Sequence, residues 1–280
     1  MTNRIRRYPL IAYVIISYAV TWLVLAPELL AVRGLVDLHL PRHWESIAAF
    51  GPAIAGFTVA YICNGRQGVA DIVHSLLHWR VGAPWWLFVV LMPALFFIAA
   101  IAIVAVQQGA APDIGSLADS ELASAAGLVD LVLFGAVIQS LAEEPGWRGF
   151  YLSRLRQQYR ALAATLILSP VWILWHVPFF LLRPEFGIGQ FIGLATGLFA
   201  AAIWFTFIFD GTRSVLMAFL FHVLINIARG MALAVSKAMF LAIAIPVIVG
   251  AFIIVLYWLI YRPASTATYA AADHGVKAPN

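Results

Sequence analysis

Two adjacent carboxylates and an arginine lie in the stretch SLAEEPGWRGFYL, at the end of an otherwise apolar segment. Ionisable side chains at membrane depth are costly to bury and usually mark a pathway or a site. Glu144 and Arg148 are spaced to share one helix face and form an ion pair, whereas Glu143 is rotated away from it. One carboxylate can therefore anchor the site while the other acts as a general acid or base. A helix end that snorkels to the headgroups explains the same pattern.

Two further apolar segments carry isolated polar residues. In VWILWHVPFF, His176 follows Trp172 by one helical turn and has apolar sequence neighbours. In MAFLFHVLINIARG, His222 and Asn226 have the spacing that places both on one helix face. A buried histidine is more often a packing residue than a ligand, and asparagine in a span commonly links helices. Each segment alone is therefore weak support for a site.

Considered together, the three polar segments favour one shared site. Burying them separately would leave several polar groups without hydrogen-bond partners, at about 1–3 kcal/mol each. We therefore expect Glu143, His176 and His222 to face one water-accessible cavity. Two histidines and a glutamate also suit a catalytic zinc ion with an open fourth position. The residue types leave open whether these three side chains hold a metal or act without one.

The elements that must position these residues are predicted to be membrane helices. Of the 280 residues, 63% are hydrophobic and 11% charged, and the mean hydropathy is +0.93. A soluble domain needs more polar surface, whereas lipid solvates the outside of a membrane bundle. We predict an all-α polytopic bundle with about eight transmembrane helices, over residues 8–32, 46–63, 84–106, 128–150, 162–182, 188–209, 214–235 and 239–261.

The remaining segments complete the predicted domain organisation. Residues 70–80 have apolar positions at helical spacing and predict a short interfacial helix. Residues 1–262 are expected to form one transmembrane domain, with 128–230 as its core. The tail 263–280 is Ala-rich and polar, and is predicted to be disordered and cytoplasmic.

The net charge of +4 is interpreted as membrane topology rather than nucleic-acid binding. Eight spans place most of the flanking basic residues on one side, which the positive-inside rule assigns to the cytoplasm, together with both termini. We therefore predict a multi-pass protein of the plasma membrane. The basic residues are Arg4, Arg6, Arg7, Arg66, Arg80, Arg154, Arg156, Arg160, Arg213, Arg262 and Lys277 on that side, against Arg33, Arg42, Arg183 and Lys237 on the other.

At its polar segments the sequence resembles a family of intramembrane endopeptidases, which includes CAAX prenyl proteases of the Rce1 type and bacterial bacteriocin-processing and immunity proteins. That family carries an EExxxR motif, then an aromatic residue four positions before a histidine, then a histidine four positions before a small polar or similar residue. Trp172 stands where Phe is usual, a change expected to be minor. The matching residues are Glu143, Glu144 and Arg148, then Trp172 and His176, then His222 and Asn226.

The resemblance implies hydrolysis of a peptide bond within the membrane. It implies that Glu143 activates water as general base, that Glu144 and Arg148 position the site, and that three polar side chains hold the water or stabilise the oxyanion. Those three are His176, His222 and Asn226. The enzyme would be of glutamate type, without a cofactor, or would use a divalent metal such as zinc.

The implied partners are membrane lipid and a peptide or protein substrate, possibly lipidated, with no nucleic acid. Two other functions fit the same residues. A non-catalytic membrane protein, such as an immunity factor, would use the polar cluster to hold its helices together. A transporter would use Glu143 as a proton relay, although the inverted repeats common in such folds are not evident in the sequence.

Overall fold

The computed structural model describes residues 2–183 and 186–261, so the tail predicted at 263–280 lies outside the described residues. Within the described ranges the chain is helical and has no strand. Eight of these helices are long and apolar enough to cross a membrane, which confirms the all-α polytopic bundle. They are α1 (Pro9–Val32), α2 (Gly51–Leu76), α3 (Ala83–Gln108), α4 (Ala125–Gln158), α5 (Ala161–Leu181), α6 (Ile188–Thr212), α7 (Val215–Val235) and α8 (Ala244–Tyr261).

Shorter helices lie between or before the long ones, at Thr2–Arg7, Trp44–Ala48 and Lys237–Ala242. The connection between α3 and α4 contains two 3₁₀ turns, at Ile114–Asp119 and Glu121–Ala123. Each turn is capped by the side chain that precedes it, since Asp113 accepts from the Gly115 amide and Ser120 from the Leu122 amide. These caps satisfy backbone donors that the short turns leave without partners.

The second helix differs most from its prediction. It runs to Leu76, with a kink at Gly65, where φ is 62° and ψ is −145°. This conformation strongly favours glycine, since a side chain would be strained there. A helix is thus present where a short interfacial helix is predicted at 70–80, but it begins directly after the break at Gly65 and ends at Leu76. Its place at the membrane interface stays a prediction. Ile72 is buried in the core, and the Ser75 hydroxyl donates to the Arg213 carbonyl at 3.0 Å.

Helix α4, which carries the two glutamates, is not a uniform α-helix. An α-helical segment at Gln139–Gly146 lies between two π-helical segments, Asp130–Ile138 and Trp147–Leu152. Pro145 lacks a backbone N–H, so it cannot donate to the carbonyl four residues earlier. Widened π turns often occur at functional sites, because they rotate the following side chains relative to a regular helix.

Helices α2 and α4 approach most closely at glycines beside the two glutamates. A Cβ atom added to Gly146 would lie 2.2 Å from the Pro52 carbonyl oxygen, and one added to Gly56 would lie 3.1 Å from the Gly146 Cα. Small residues allow membrane helices to pack backbone against backbone. The first half of the chain thus fixes the position of the glutamate-bearing segment.

Gly146→Ala is expected to destabilise the protein by at least about 1–3 kcal/mol, because its methyl group would overlap backbone atoms that cannot move independently. Gly193→Ala in α6 is the matched control, since a Cβ there meets nothing within 4 Å. Thermal unfolding of the two purified variants in detergent measures the difference. Equal melting temperatures would mean that α2 and α4 do not approach this closely.

Both ends of α4 are tied to neighbouring segments by charged pairs. Near its start, Asp130 contacts Arg42 and also His43, whose Nε2 lies 3.1 Å away. Near its end, Arg156 is buried and its Nε donates to both oxygens of Asp210, at 2.8 and 3.0 Å. The two aspartates therefore lie at opposite ends of the bundle and belong to ion pairs rather than to a shared catalytic pair.

Candidate active site

Glu144 accepts hydrogen bonds from two other predicted site residues. It is fully buried, and its Oε1 accepts from Arg148 Nη1 at 2.9 Å and from His222 Nδ1 at 2.8 Å. The predicted ion pair between Glu144 and Arg148 is thus present, and His222 of α7 binds the same carboxylate oxygen. Arg148 is only 1% exposed, so the interpretation of this segment as a snorkelling helix end is wrong.

Two aromatic rings cover the guanidinium of Arg148. Its Cζ lies 4.4 Å from the ring centre of Trp172 and 4.0 Å from that of Phe205. Nε and Nη2 of the guanidinium have no hydrogen-bond partner among the described residues. Cation–π attraction to desolvated rings therefore supplies part of the stabilisation that the buried charge needs.

Glu143 has a different environment from its neighbour. Its Oε2 accepts one hydrogen bond, from the indole Nε1 of Trp172 at 2.8 Å. Its side chain remains 4% exposed, whereas Glu144 is completely enclosed. Glu144 is thus bound by an arginine and a histidine, which carry or can carry positive charge. Glu143 is bound by a single neutral donor, the indole of Trp172. This is the asymmetry expected when one carboxylate anchors a site and the other does chemistry.

Both histidine rings have their Nδ1 atoms occupied. His176 Nδ1 lies 2.7 Å from the Trp172 carbonyl oxygen, and His222 Nδ1 lies 2.8 Å from Glu144 Oε1. A carbonyl oxygen and a carboxylate oxygen accept hydrogen bonds, so Nδ1 carries the hydrogen in each ring. Nε2 of a neutral ring is then an acceptor, which suits it to holding a water molecule through an O–H.

The two histidines do not occupy equivalent places in the site. Trp172, one turn before His176, contacts Glu143 directly, and its ring centre lies 6.4 Å from that of His222. His176 packs edge-on against the same indole at 5.4 Å and is partly exposed. Trp172 therefore lies level with the glutamates, and His176 lies one turn further along α5.

Asn226 makes its described hydrogen bond away from the glutamates. Its Nδ2 donates to the Gly135 carbonyl oxygen at 3.2 Å. Gly135 lies in the first π segment of α4, so this contact links α7 to α4. Helix linkage is the structural role that asparagine commonly takes in spans. A part for Asn226 in oxyanion stabilisation stays a prediction.

The residue types leave open whether Glu143, His176 and His222 hold a metal ion, and the positions of the side chains can be compared with those of metal ligands. Among the described residues, no group of three or more His, Cys, Asp or Glu side chains is arranged to hold a metal ion. Glu143, His176 and His222 are thus not grouped as the ligands of a zinc ion would be, and no step below depends on a metal.

Sequence reasoning missed two contributors to the site. Trp172 was treated as a bulky equivalent of phenylalanine, but its N–H makes a hydrogen bond that Phe cannot make. Tyr13 of α1 is fully buried and packs its ring against Trp147, Phe150 and Tyr151, with centres 5.1–5.3 Å apart.

The sequence of α1 contains a pattern that indicates which face of the helix packs against the protein. Its buried residues Tyr13, Ser17, Thr21 and Leu25 recur every four positions. This spacing puts three hydroxyl groups on one stripe of an apolar helix. Such a stripe indicates the face that turns toward the protein rather than toward lipid.

Comparison with known proteins gives the family of the central segment. Residues 125–228 match the family model of type II CAAX prenyl endopeptidase Rce1-like proteins. This segment is therefore similar to the Rce1-like family. All six predicted site residues lie within the Rce1-like segment, which confirms the resemblance inferred from the three motifs.

A curated relative shares the same kind of segment. CAAX prenyl protease 2 of Methanococcus maripaludis is 27% identical over 104 residues, which cover 34% of this chain and 38% of the relative. The match thus spans less than half of either protein.

Proposed function

We propose that this chain is an intramembrane endopeptidase of the CAAX-protease-like type, which hydrolyses a peptide bond with a water molecule activated by Glu143. The observation that carries the proposal is the unequal environment of the paired glutamates. Glu144 accepts from Arg148 and His222, whereas the carboxylate of Glu143 accepts one hydrogen bond, from the neutral indole of Trp172, and is 4% exposed. The family of residues 125–228 supports the same reaction class.

The proposed reaction uses only side chains of the chain. Glu143 removes a proton from water as the oxygen attacks the carbonyl carbon, and it returns that proton to the leaving amine. His176 and His222 hold the water through Nε2, since Nδ1 of each ring is already donating. Glu144 and Arg148 keep the α4 and α7 side chains in place, and we infer that Asn226 assists at the oxyanion.

The substrate is proposed to be a peptide or protein that reaches the site from the lipid, possibly carrying a lipid chain. The name of the curated relative refers to prenylated CAAX substrates, and a lipid anchor would deliver a peptide to a buried site. We further propose that the protein lies in the plasma membrane with both termini in the cytoplasm, as the distribution of basic residues predicts.

Cleavage by the purified protein in lipid nanodiscs tests this function. The panel would contain membrane-embedded peptides and matched peptides with and without a prenyl group, and mass spectrometry would identify products. We expect new peptide termini that the wild-type protein produces and Glu143→Ala does not. Equal background cleavage by both proteins across the panel would contradict the proposal.

Removal of metal ions is expected to leave the cleavage rate within about twofold of the untreated rate, because the described side chains form no metal-ligand group. The measurement combines elemental analysis of the purified protein with the cleavage assay before and after chelation. A stoichiometric metal whose removal abolishes cleavage, and whose return restores it, would show that the glutamate-only mechanism is wrong.

A further inference from the structure

We propose that Trp172 is a positioning residue that orients Glu143 through its indole N–H and His176 through its backbone carbonyl. The inference rests on the proposed function, in which Glu143 is the base and His176 holds water. It adds a residue whose polar contact, rather than its bulk, matters to the reaction.

The contacts of Trp172 connect several parts of the site. Its Nε1 donates to Glu143 Oε2 at 2.8 Å, and its carbonyl oxygen accepts from His176 Nδ1 at 2.7 Å. The face of the same indole lies 4.4 Å from the Arg148 guanidinium carbon. The ring is 2% exposed, so these contacts are made without competition from bulk water.

The indole is suited to hold a carboxylate because its nitrogen donates a hydrogen bond and cannot accept one. Nε1–H has one hydrogen and no acceptor function, so it donates to the Glu143 carboxylate and engages one of its two oxygens. Oε1 is then the oxygen available to take a proton from water. A base held in this way stays in its reactive geometry and need not be ordered during the reaction.

The orientation of the indole is itself fixed by its neighbours. Its ring packs edge-on against Phe205, with centres 5.7 Å apart, and against His176 at 5.4 Å. A rotation of the ring would break the bond to Glu143 and also uncover Arg148. The position of the base is therefore set by packing between α5, α6 and α4.

Trp172→Phe is the sharpest variant, because it removes the N–H and keeps an aromatic ring over Arg148. Trp175→Phe is the matched control on the same helix. Trp175 is also buried, its Nε1 donates to Thr21 Oγ1 at 2.9 Å, and its ring lies 4.7 Å from that of His176. Both variants thus lose one buried indole hydrogen bond, but only one loses a bond to Glu143.

We expect Trp172→Phe to lower kcat by about 10–100-fold with little change in KM, as misplacement of a base does. Trp175→Phe should keep the wild-type kcat, because its lost hydrogen bond goes to Thr21 and not to Glu143. Melting temperatures of both variants measure the structural effect, which we expect to be similar.

A second readout separates this inference from the proposed function. The chain has ten tryptophans, and the indole N–H signal missing from the NMR spectrum of Trp172→Phe identifies Trp172. That signal should shift in Glu143→Ala, and the Trp175 signal should stay in place. An unchanged Trp172 signal, or the same loss of kcat in both tryptophan variants, would overturn the positioning role. Absence of cleavage by the wild type, with the shift observed, would contradict the protease function and leave the hydrogen bond established.

Discussion

Glu143→Gln is expected to lower the rate of peptide hydrolysis by about 10²–10⁴-fold, the usual contribution of a general base. The amide cannot take a proton from water, but its carbonyl oxygen can still accept the hydrogen bond from Trp172. The fold should therefore persist while the chemistry is lost. Cleavage rates and melting temperature, measured on the same nanodisc preparation, check both parts of the prediction.

Glu121→Gln is the control for this substitution, because Glu121 lies in the exposed connection before α4. It makes the same change of charge and should leave the rate unaltered. Retention of wild-type activity by Glu143→Gln would eliminate Glu143 as the base. A proton-gradient-dependent flux that Glu143→Gln abolishes, in the absence of cleavage, would instead favour the transporter hypothesis.

Glu144→Gln is expected to act on stability rather than on chemistry, with a loss of about 3–5 kcal/mol, the cost of breaking a buried ion pair by removing one partner. Glu144 and Arg148 are 0% and 1% exposed. The substitution leaves the guanidinium charge buried without its counter-ion, and it weakens the contact to His222. Thermal or denaturant unfolding in detergent, together with the yield of folded protein, measures the effect.

A double replacement tests the cause of that loss. Glu144→Gln combined with Arg148→Met removes the unpaired charge and keeps an apolar side chain between the two aromatic rings. Its stability should exceed that of Glu144→Gln alone, because a buried pair replaced as a whole costs less than a pair that is broken. Equal instability of the single and double variants would mean that Arg148 is not the source of the effect.

The contrast between the adjacent glutamates distinguishes a catalytic cluster from a merely structural one. A non-catalytic bundle that used these residues for cohesion would lose stability at both positions. In a protease, substitution of Glu143 should abolish activity and leave the fold intact, whereas substitution of Glu144 should destabilise the fold. The two substitutions change the same residue type at neighbouring positions, so differences in charge or helix propensity do not confound the comparison.

The amino-acid sequence by itself determined the membrane spans and the motifs of the Rce1-like segment. Eight apolar stretches are sufficient to predict eight helices, because hydropathy is a property of consecutive residues. The spacing of Glu144 and Arg148 likewise predicts their pairing, since the helix geometry relates residues four apart. The three motifs identified the Rce1-like segment from residue types and spacing alone.

Only the tertiary structure decided which of these residues contact one another. His222 bonds Glu144 across 78 positions of sequence, whereas His176 bonds the Trp172 carbonyl within its own helix. The kink at Gly65 and the choice of α4 as the helix that Tyr13 packs against were equally hidden. Such contacts depend on the rotation and depth of each helix, which the packing of glycines and aromatic rings sets, and which local periodicity does not record.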